Sequence, residues 1–329
     1  MFGGFRLLLA ILVALSHVNI RIAGLNPGVI AVVCFYLISG YVMTGLIRKH
    51  YDSVGTVKFF YLDRAIRLFP QYLVIVAITL CWFYVSGTKN NFLQHVPSLG
   101  DLLNNLVVVP LNYFMFNQSD QFTLIPPAWS LGAEIQFYIL IPWLLMFRLR
   151  VASFVIAGAV YLAAAWGVLN TDTFGYRLLP GILVYFLLGS FLFDVMQQKR
   201  QPDSLQTNGS LKIIACVVLA VIAIAIVLSR TQHLHLLYNK ETLIGMAFGV
   251  SCVVLLGKFR QTKMDNFLGD LSYGVFLNHF LIQWVLVGVP TELSTLALYV
   301  ICSLILSALT QLIFEKPVLH LRQKFRHST

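Results

Sequence analysis

The sequence is poor in charged residues, which make up only 11% of its 329 positions, whereas hydrophobic residues make up 58%. Soluble domains carry about 25% charged and about 45–50% apolar residues. A water-soluble globule of this size could not bury so much apolar surface behind so few charges. The composition excludes a soluble enzyme, a disordered chain and a small disulfide scaffold, and it predicts an all-α, polytopic membrane protein.

Cysteine is also scarce. All five cysteines lie inside apolar runs, with no CxxC pair and no cluster of Cys and His at ligand spacing. This pattern argues against a disulfide framework, a structural zinc site and an iron–sulfur site, so no metal is expected.

Long apolar runs are what the chain has in abundance. A helix that crosses a bilayer needs about 20 mostly apolar residues. Ten segments approach that length, and Leu102 to Phe116, which is short and broken by Pro110, predicts a re-entrant or interfacial piece. The ten lie near 5–22, 28–47, 70–86, 129–147, 151–169, 177–196, 211–229, 242–257, 271–289 and 294–314.

The basic residues predict the orientation of these segments. If the N-terminus is cytoplasmic, 18 of the 23 Lys and Arg fall in inside segments and 5 in outside segments. That split follows the positive-inside rule, so the net charge of +10 reflects topology and not nucleic-acid binding. Both termini are therefore expected in the cytoplasm. Ala14 and Ser16 also resemble a weak signal-peptide cleavage site, but cleavage would spoil the alternation of loop charge.

We expect a single integral-membrane domain over residues 1–329, without an additional soluble domain. The longest outside segment, about 87–128, contains four prolines, two Asp and several Asn. It is a candidate lid or acceptor-binding loop.

Ionisable groups inside membrane spans are expensive and mark functional sites by default. In the first segment, Arg6 and His17 are 11 residues apart, which places them on one helix face about 16 Å apart. The alternative is that Arg6 is a snorkelling anchor and His17 an interfacial side chain.

The first inside segment ends in FFYLDRAIRLFPQYL, where Arg64 and Arg67 would share one side of a short helix that Pro70 restarts or kinks. Two guanidiniums at a membrane mouth suit a polyphosphate. Binding to anionic lipid is the alternative.

The fourth segment opens with PPAWSLGAEIQFYILIP and places Glu134 about one turn inside the outer boundary, near Trp129 and Tyr138. This carboxylate is a candidate acid or base, or the orienting partner of His17, and structural pairing is the alternative. In the ninth segment, LGDLSYGVFLNHFLIQ, Ser272 and His279 are seven apart and face the same way, with Tyr273 and Asn278 beside them. Ser and Asn in such helices more often join neighbouring helices by hydrogen bonds.

Six motifs in order resemble the acyltransferase-3 family, integral membrane enzymes that acylate sugars of bacterial surface glycans. They are R-x10-H (Arg6, His17), CFYLISGYV with Ser39 and Tyr41, FYLDRAIRLFPQY, PPAWSLGAEIQFYILIP, LGDLSYGVFLNH and FEKP. The resemblance covers nearly the whole chain. Within the family, the chain resembles the short members that lack an SGNH-hydrolase-like domain. Phe276 stands where the family often has Tyr, which puts a hydroxyl role there in doubt.

The resemblance implies transfer of an acyl group, usually acetyl, from cytoplasmic acyl-CoA to a hydroxyl outside the membrane. Arg64 and Arg67 match the family's donor-binding motif, Arg6 and His17 its first-helix pair, and Glu134 its acidic residue. By the same analogy, the protein lies in a bacterial inner membrane. Its acceptor would be a lipid-linked or nascent O-antigen, capsule or exopolysaccharide sugar, and glycan-assembly machinery would be a partner.

The residues suit this chemistry independently. A sugar hydroxyl must lose its proton as it attacks a thioester, and histidine is the natural base near neutral pH. We expect CoA at the inside arginines, His17 at the acyl end and Glu134 behind the imidazole. Whether a covalent acyl-histidine forms stays open. The competing interpretations are a proton-coupled transporter that uses Glu134 and His17 as a relay, and a non-catalytic subunit of a glycan-assembly complex.

Overall fold

The computed structural model describes residues 1–198, 206–286 and 292–318, and within these ranges it is built of helices without a β-strand. The helices are α1 (Gly3–His17), α2 (Pro27–His50), α3 (Val57–Ser86), α4 (Leu99–Val107), α5 (Phe114–Asn117), α6 (Ala128–Met146), α7 (Arg150–Ala165), α8 (Leu179–Gln198), α9 (Gln206–Arg230), α10 (Asn239–Leu256), α11 (Lys263–Val285) and α12 (Leu293–Thr310). Each of the ten predicted segments overlaps one of them. The Glu315 side chain of the FEKP motif lies outside the described part.

Seven of the helices in the described ranges are long and apolar enough to cross a membrane: α2, α3, α6, α8, α9, α10 and α12. By the same measure α1 and α7 are shorter apolar helices. The chain is thus an all-helical membrane protein, as predicted from its composition. Ten spans and cytoplasmic termini stay predictions.

The arginines predicted on a short helix lie instead on a continuous one. α3 runs for 30 residues through Pro70 and ends at Gly87, whose φ of +62° is left-handed. A proline is tolerated inside such a helix because neighbouring groups satisfy the backbone that it frees. The prediction of a separate helix before Pro70 was therefore wrong, and Arg64 and Arg67 are rigidly joined to the rest of α3.

The segment between α3 and α6 folds back sharply at Val108, two residues before Pro110. α4 and the following helical stretch Val109–Asn117 meet at 102°, and Val108 has a φ of +69°. Asn105 anchors this bend, because its amide donates to the Phe122 carbonyl at 3.0 Å and accepts from the Leu124 N–H at 2.9 Å. The bent pair fits the re-entrant piece predicted for Leu102 to Phe116.

Helices α1, α2 and α11 pack against one another and position the site. α1 contacts both α2 and α11, and α2 also packs on α8 and α10. Gly40 of α2 lies so close to α8 that a Cβ would fall 1.8 Å from the Phe186 carbonyl oxygen. The Phe137 and Phe186 rings stack with their centroids 4.2 Å apart. Between α11 and α12, the Ser303 hydroxyl donates to the Asn278 side-chain oxygen at 2.6 Å, as expected for an interhelical polar pair.

Candidate active site

Two histidines from different helices meet near the C-terminal ends of α1 and α11. His17 ends α1, and its Nδ1 lies 3.0 Å from Nε2 of His279, with the two rings stacked. The Nδ1 of His279, in turn, lies 3.0 Å from the carbonyl oxygen of Val275, and the His279 side chain is fully buried. The pair forms a short chain of hydrogen bonds that ends on the backbone.

This chain of hydrogen bonds fixes the tautomer of both rings when they are neutral. A carbonyl oxygen only accepts, so Nδ1 of His279 carries the hydrogen and its Nε2 is an acceptor. Nδ1 of His17 then donates to that Nε2, which leaves Nε2 of His17 with a free lone pair. In the described part of the chain this atom has no hydrogen-bond partner, and it is not among the buried unpartnered atoms. In its neutral form, His17 thus presents this lone pair to a cavity.

That cavity has a volume of about 560 Å³, and we name it the outer cavity after the orientation that the Lys and Arg predict. Its walls come from α1, the segment around residue 90, the start of α6, the turn before α8, and α11. They combine aromatic rings with amides and two arginines. The side chains that matter below are those of His17, Asn90, Asn91, Trp129, Arg177, Tyr238 and Phe276.

Glu134 lies elsewhere, and the prediction that it orients His17 was wrong. Its Oε1 accepts hydrogen bonds from the Ser39 hydroxyl at 2.6 Å and from the Tyr138 hydroxyl at 2.5 Å. The physical reason is the register of α6, because Glu134 faces α2 at the level of Ser39 whereas His17 faces α11. The imidazole is oriented by His279, and Ser39 and Tyr138 support the carboxylate.

Glu134 instead lines a narrow cavity of about 150 Å³ below the outer one, which we name the neck. Ser272 and Tyr273 line it from α11. The Ser272 hydroxyl donates to the Gly269 carbonyl at 2.6 Å, and the Tyr273 hydroxyl donates to the Leu68 carbonyl at 2.9 Å, which ties α11 to α3. Phe276 lies where the neck meets the outer cavity and lines both.

A third space, the inner cavity of about 1000 Å³, lies at the other end of the neck. Arg6, Arg64 and Arg67 line both spaces. Arg64 is ion-paired with Asp63, and Arg67 with Asp270 at 2.8 Å. Arg6 has no ion pair or hydrogen bond from its side chain in the described part of the chain. Tyr41 lines this cavity too, with its ring against those of Phe2 and Phe193.

The three cavities form a series through the bundle because neighbouring ones share walls. The inner cavity and the neck share the three arginines, and the neck and the outer cavity share Ser130 and Phe276. Arg6 and His17, predicted to share a face of the first helix, stand at successive points along this series. In the described residues no group of three or more His, Cys, Asp or Glu side chains is placed to hold a metal ion.

Sequence reasoning missed two residues of these cavities. Asp270 lies in the LGDLSYG motif and holds both Arg67 and the Gln311 side chain, the latter at 3.1 Å. Arg177 is one of the five Lys and Arg counted in outside segments, and no further role was predicted for it. Its guanidinium lies 4.6 Å from the ring of Trp129, the residue singled out near Glu134. An arginine flanked by aromatic residues at the start of a span, as in FGYRLLP, is the signal that could have found it.

Comparisons with known proteins find relatives in several bacteria. An Aquifex aeolicus protein of uncharacterized function is 38% identical over 186 residues, which are 56% of this chain and 81% of that protein. A Staphylococcus aureus protein, named provisionally as an O-acetyltransferase, is 25% identical over 84% of this chain and 49% of its own length. A Bacillus subtilis protein, named provisionally as a peptidoglycan O-acetyltransferase, is 24% identical over 96% of this chain and 54% of its own.

The chain spans about half the length of the latter two relatives. No solved structure matches it. The family model for the acyltransferase domain of the acyltransferase-3 family matches residues 2–314 and so includes all the cavity residues described above. The chain belongs to the acyltransferase-3 family and is a membrane acyltransferase.

Proposed function

We propose that the protein is an O-acyltransferase that moves an acyl group, most simply acetyl, from cytoplasmic acyl-CoA to a hydroxyl of a bacterial surface-glycan sugar. The observation that carries this proposal is the series of cavities, with arginines at the inner end and a histidine base at the outer end. A donor that cannot cross lipid and an acceptor outside can meet only through such a passage.

The inner end suits the donor. CoA carries several phosphate charges, which guanidinium and ammonium groups bind well. Arg48 and Lys49 line the inner cavity beside Arg6, Arg64 and Arg67. The ion pairs with Asp63 and Asp270 fix Arg64 and Arg67 in place, while Arg6 is left to face the ligand. The thin pantetheine arm would enter the neck past Glu134.

The outer end suits the transfer step. Nε2 of His17 takes the proton of the acceptor hydroxyl as its oxygen attacks the thioester carbonyl carbon. The carbon–sulfur bond then breaks, and the CoA sulfur leaves as a thiol after it receives the proton from His17. His279 stabilises the charged imidazole, because its Nε2 accepts the hydrogen that remains on Nδ1. A transient acyl-histidine would use the same atom as nucleophile.

The acceptor and the cellular setting follow from the family and from the relatives' names. We place the protein in a bacterial inner membrane, with a lipid-linked or nascent glycan, such as O-antigen, capsule or exopolysaccharide, at the outer cavity. The peptidoglycan named for the Bacillus subtilis relative is a further acceptor of this class. Glycan-assembly machinery would be its partner.

The first test compares the surface glycan of cells that express the wild type with that of cells that express His17→Ala at equal level. Mass spectrometry and NMR, before and after mild alkali, should reveal an alkali-labile acyl group that the variant lacks. His235, an exposed outer histidine, provides the matched control, because His235→Ala should leave acylation unchanged. Equal acylation with wild type and His17→Ala would overturn the proposal and favour the proton-coupled transporter.

A second test addresses the donor site with purified protein in nanodiscs. Arg6→Gln and Arg67→Gln should each weaken acetyl-CoA binding by about tenfold, since a hydrogen bond to a charged group contributes about 1.5–3 kcal/mol. Lys58→Gln, on the exposed side of α3 away from the cavities, is the control and should bind as the wild type does. Unchanged affinity in both arginine variants would show that the donor phosphates bind elsewhere.

A further inference from the structure

The outer cavity has an unusual charge balance for a site that would hold a neutral sugar. Its described walls include Arg21, Arg177 and several amide side chains, but neither Asp nor Glu is among them. Two carboxylates lie behind these walls and pair with wall residues, since Asp172 accepts from Arg177 and Glu241 accepts from the Asn26 N–H at 3.2 Å. The charged side chains that line the cavity itself are therefore both arginines.

Arg177 is held rigidly in this wall. It closes a π-helical turn, Thr173–Arg177, that leads into α8. Its Nε donates to Oδ1 of Asp172 at 2.8 Å, and its guanidinium lies 4.6 Å from the Trp129 ring and 5.0 Å from the Phe114 ring. Rings on the guanidinium faces restrict its rotation and remove little of its hydrogen-bonding capacity. The side chain is only 16% exposed.

The far end of this guanidinium is open. Asp172 uses Nε alone, and neither terminal nitrogen has an acceptor in the described part of the chain. Neither of them is among the buried atoms that lack a partner, so both reach open space, and Arg177 is one of the residues that line the outer cavity. Two parallel N–H donors on a fixed plane match the geometry of a carboxylate or phosphate.

The size and composition of the rest of the cavity suit a sugar. Ligand sites commonly occupy about 300–1,000 Å³, and this cavity of about 560 Å³ lies within that range. Trp129 and Tyr238 offer flat apolar faces, while Asn90 and Asn91 offer amide donors and acceptors. One anionic substituent on a sugar ring would meet Arg177 while a hydroxyl of the same molecule meets His17.

We infer that the acceptor is an anionic sugar, bearing a carboxylate or phosphate group that Arg177 binds in the outer cavity. This inference rests on the proposed function for the identity of the outer cavity as the acceptor site. It narrows the acceptor from surface-glycan sugars in general to acidic ones. Arg177 would then determine specificity, and the histidines would carry the chemistry.

The test measures weak binding of three matched ligands to the protein in nanodiscs by saturation-transfer-difference NMR titration. Methyl β-glucoside, methyl β-glucuronide and glucose 6-phosphate differ chiefly at one substituent, which is neutral, a carboxylate or a phosphate. We expect the wild type to bind one or both anionic ligands about tenfold more tightly than the glucoside, the gain of one charge-assisted contact. The stronger of the two identifies the anionic group.

Variants then assign the effect to Arg177. The first variant combines Arg177→Gln with Asp172→Asn, so that the loss of the arginine leaves no unpaired carboxylate at Asp172. It should bind the glucoside as the wild type does but lose the preference for the anionic ligands. Arg230→Gln removes an exposed positive charge from the end of α9 and should keep the preference. If the wild type bound all three ligands equally well, the inference would be overturned. It would also be overturned if the variant without Arg177 still preferred the anionic ligands.

Acetyl-CoA binding, measured on the same samples, separates this inference from the function on which it rests. Retained acetyl-CoA binding with no preference for the anionic ligands overturns the anionic acceptor alone. A preference that depends on Arg177 in a protein that does not bind acetyl-CoA would support the anion site and overturn the proposed donor.

Discussion

At the scale of single residues, the chemistry depends on how His17 is held. An isolated imidazole exchanges its proton between two nitrogens, and only one tautomer presents the lone pair to the outer cavity. The chain from Val275 through His279 to His17 selects that tautomer. Glu134 performs no such task, because its Oε1 already accepts two hydroxyl hydrogen bonds.

His279 is accordingly a positioning residue, and its loss should affect turnover more than donor binding. We expect His279→Ala to lower kcat by about 100-fold or more, in the range that general-base catalysis contributes, with the KM for acetyl-CoA unchanged. The pH profile of kcat should also move, because the environment of the base changes. Steady-state kinetics between pH 5 and 9 would measure both effects.

A His279→Ala enzyme that keeps the wild-type profile and turnover would contradict this role. Asn278→Ala on the same helix is a matched control for packing, since Asn278 bonds to Ser303 and not to His17. It should lower stability without moving the pH profile.

At the scale of elements, close helix contacts set the positions of the cavity walls. Ser39 of α2 supports Glu134 in the neck, and α2 and α8 meet through two glycines, each of which faces the backbone of the opposite helix. A Cβ on Gly189 would lie 2.0 Å from the Leu37 carbonyl oxygen. A Cβ on Gly40 would lie 1.8 Å from the Phe186 carbonyl oxygen. Helix pairs in membranes commonly use small residues to approach in this way.

Valine at either glycine should therefore force α2 and α8 apart. We expect Gly40→Val and Gly189→Val each to lower stability by about 1–3 kcal/mol, the usual cost of overpacking. A thermal-unfolding series in detergent would measure it. Gly158→Val in α7 is the control, because a Cβ there meets nothing within 4 Å, and a loss at Gly158 as large as at Gly40 would refute the packing argument.

The outer re-entrant helix α4 depends on its N-terminal cap. The Asp101 N–H donates to the Ser98 hydroxyl at 3.2 Å, and the Asp101 carboxylate accepts from the Ser98 N–H at 2.9 Å and from His95 at 3.0 Å. Removing a cap of this kind costs about 1 kcal/mol.

Ser98→Ala, which removes the hydroxyl that accepts from the Asp101 N–H, should thus loosen the first turn of α4 and leave the membrane helices as they are. The rate of hydrogen–deuterium exchange over residues 98–104 should rise by about fivefold, because a loss of about 1 kcal/mol makes local opening about five times more frequent. Exchange in α2 and α6 provides the internal control. Unchanged exchange in α4 would mean that the contacts of Asn105, and not the cap, hold this helix.

At the scale of the whole molecule, the series of cavities has a direction only if the two ends of the bundle face different compartments. Lys49 lines the inner cavity and Asn91 the outer one. The distribution of Lys and Arg predicts that the end with Lys49 is cytoplasmic.

Single cysteines in a cysteine-free background would test this orientation. A membrane-impermeant maleimide should label Asn91→Cys in intact spheroplasts and Lys49→Cys only after permeabilisation. Thr88→Cys, next to the end of α3, should behave like Asn91→Cys. The opposite pattern would invert the proposed donor and acceptor sides.

The amino-acid sequence by itself determined the membrane class, the helical fold, ten apolar segments that each overlap a helix, and the list of polar residues in those segments. These features are local, since they depend on composition and on runs of neighbouring residues. The family followed from motifs of the same kind. Only the tertiary structure decided the pairing of these residues, because His17 and His279 are 262 positions apart and the rotation of each helix sets which polar groups meet. The rotation of the helices also keeps Glu134 apart from His17 and brings Arg177 to the outer cavity. Local sequence carries no information about such distances between residues of different helices.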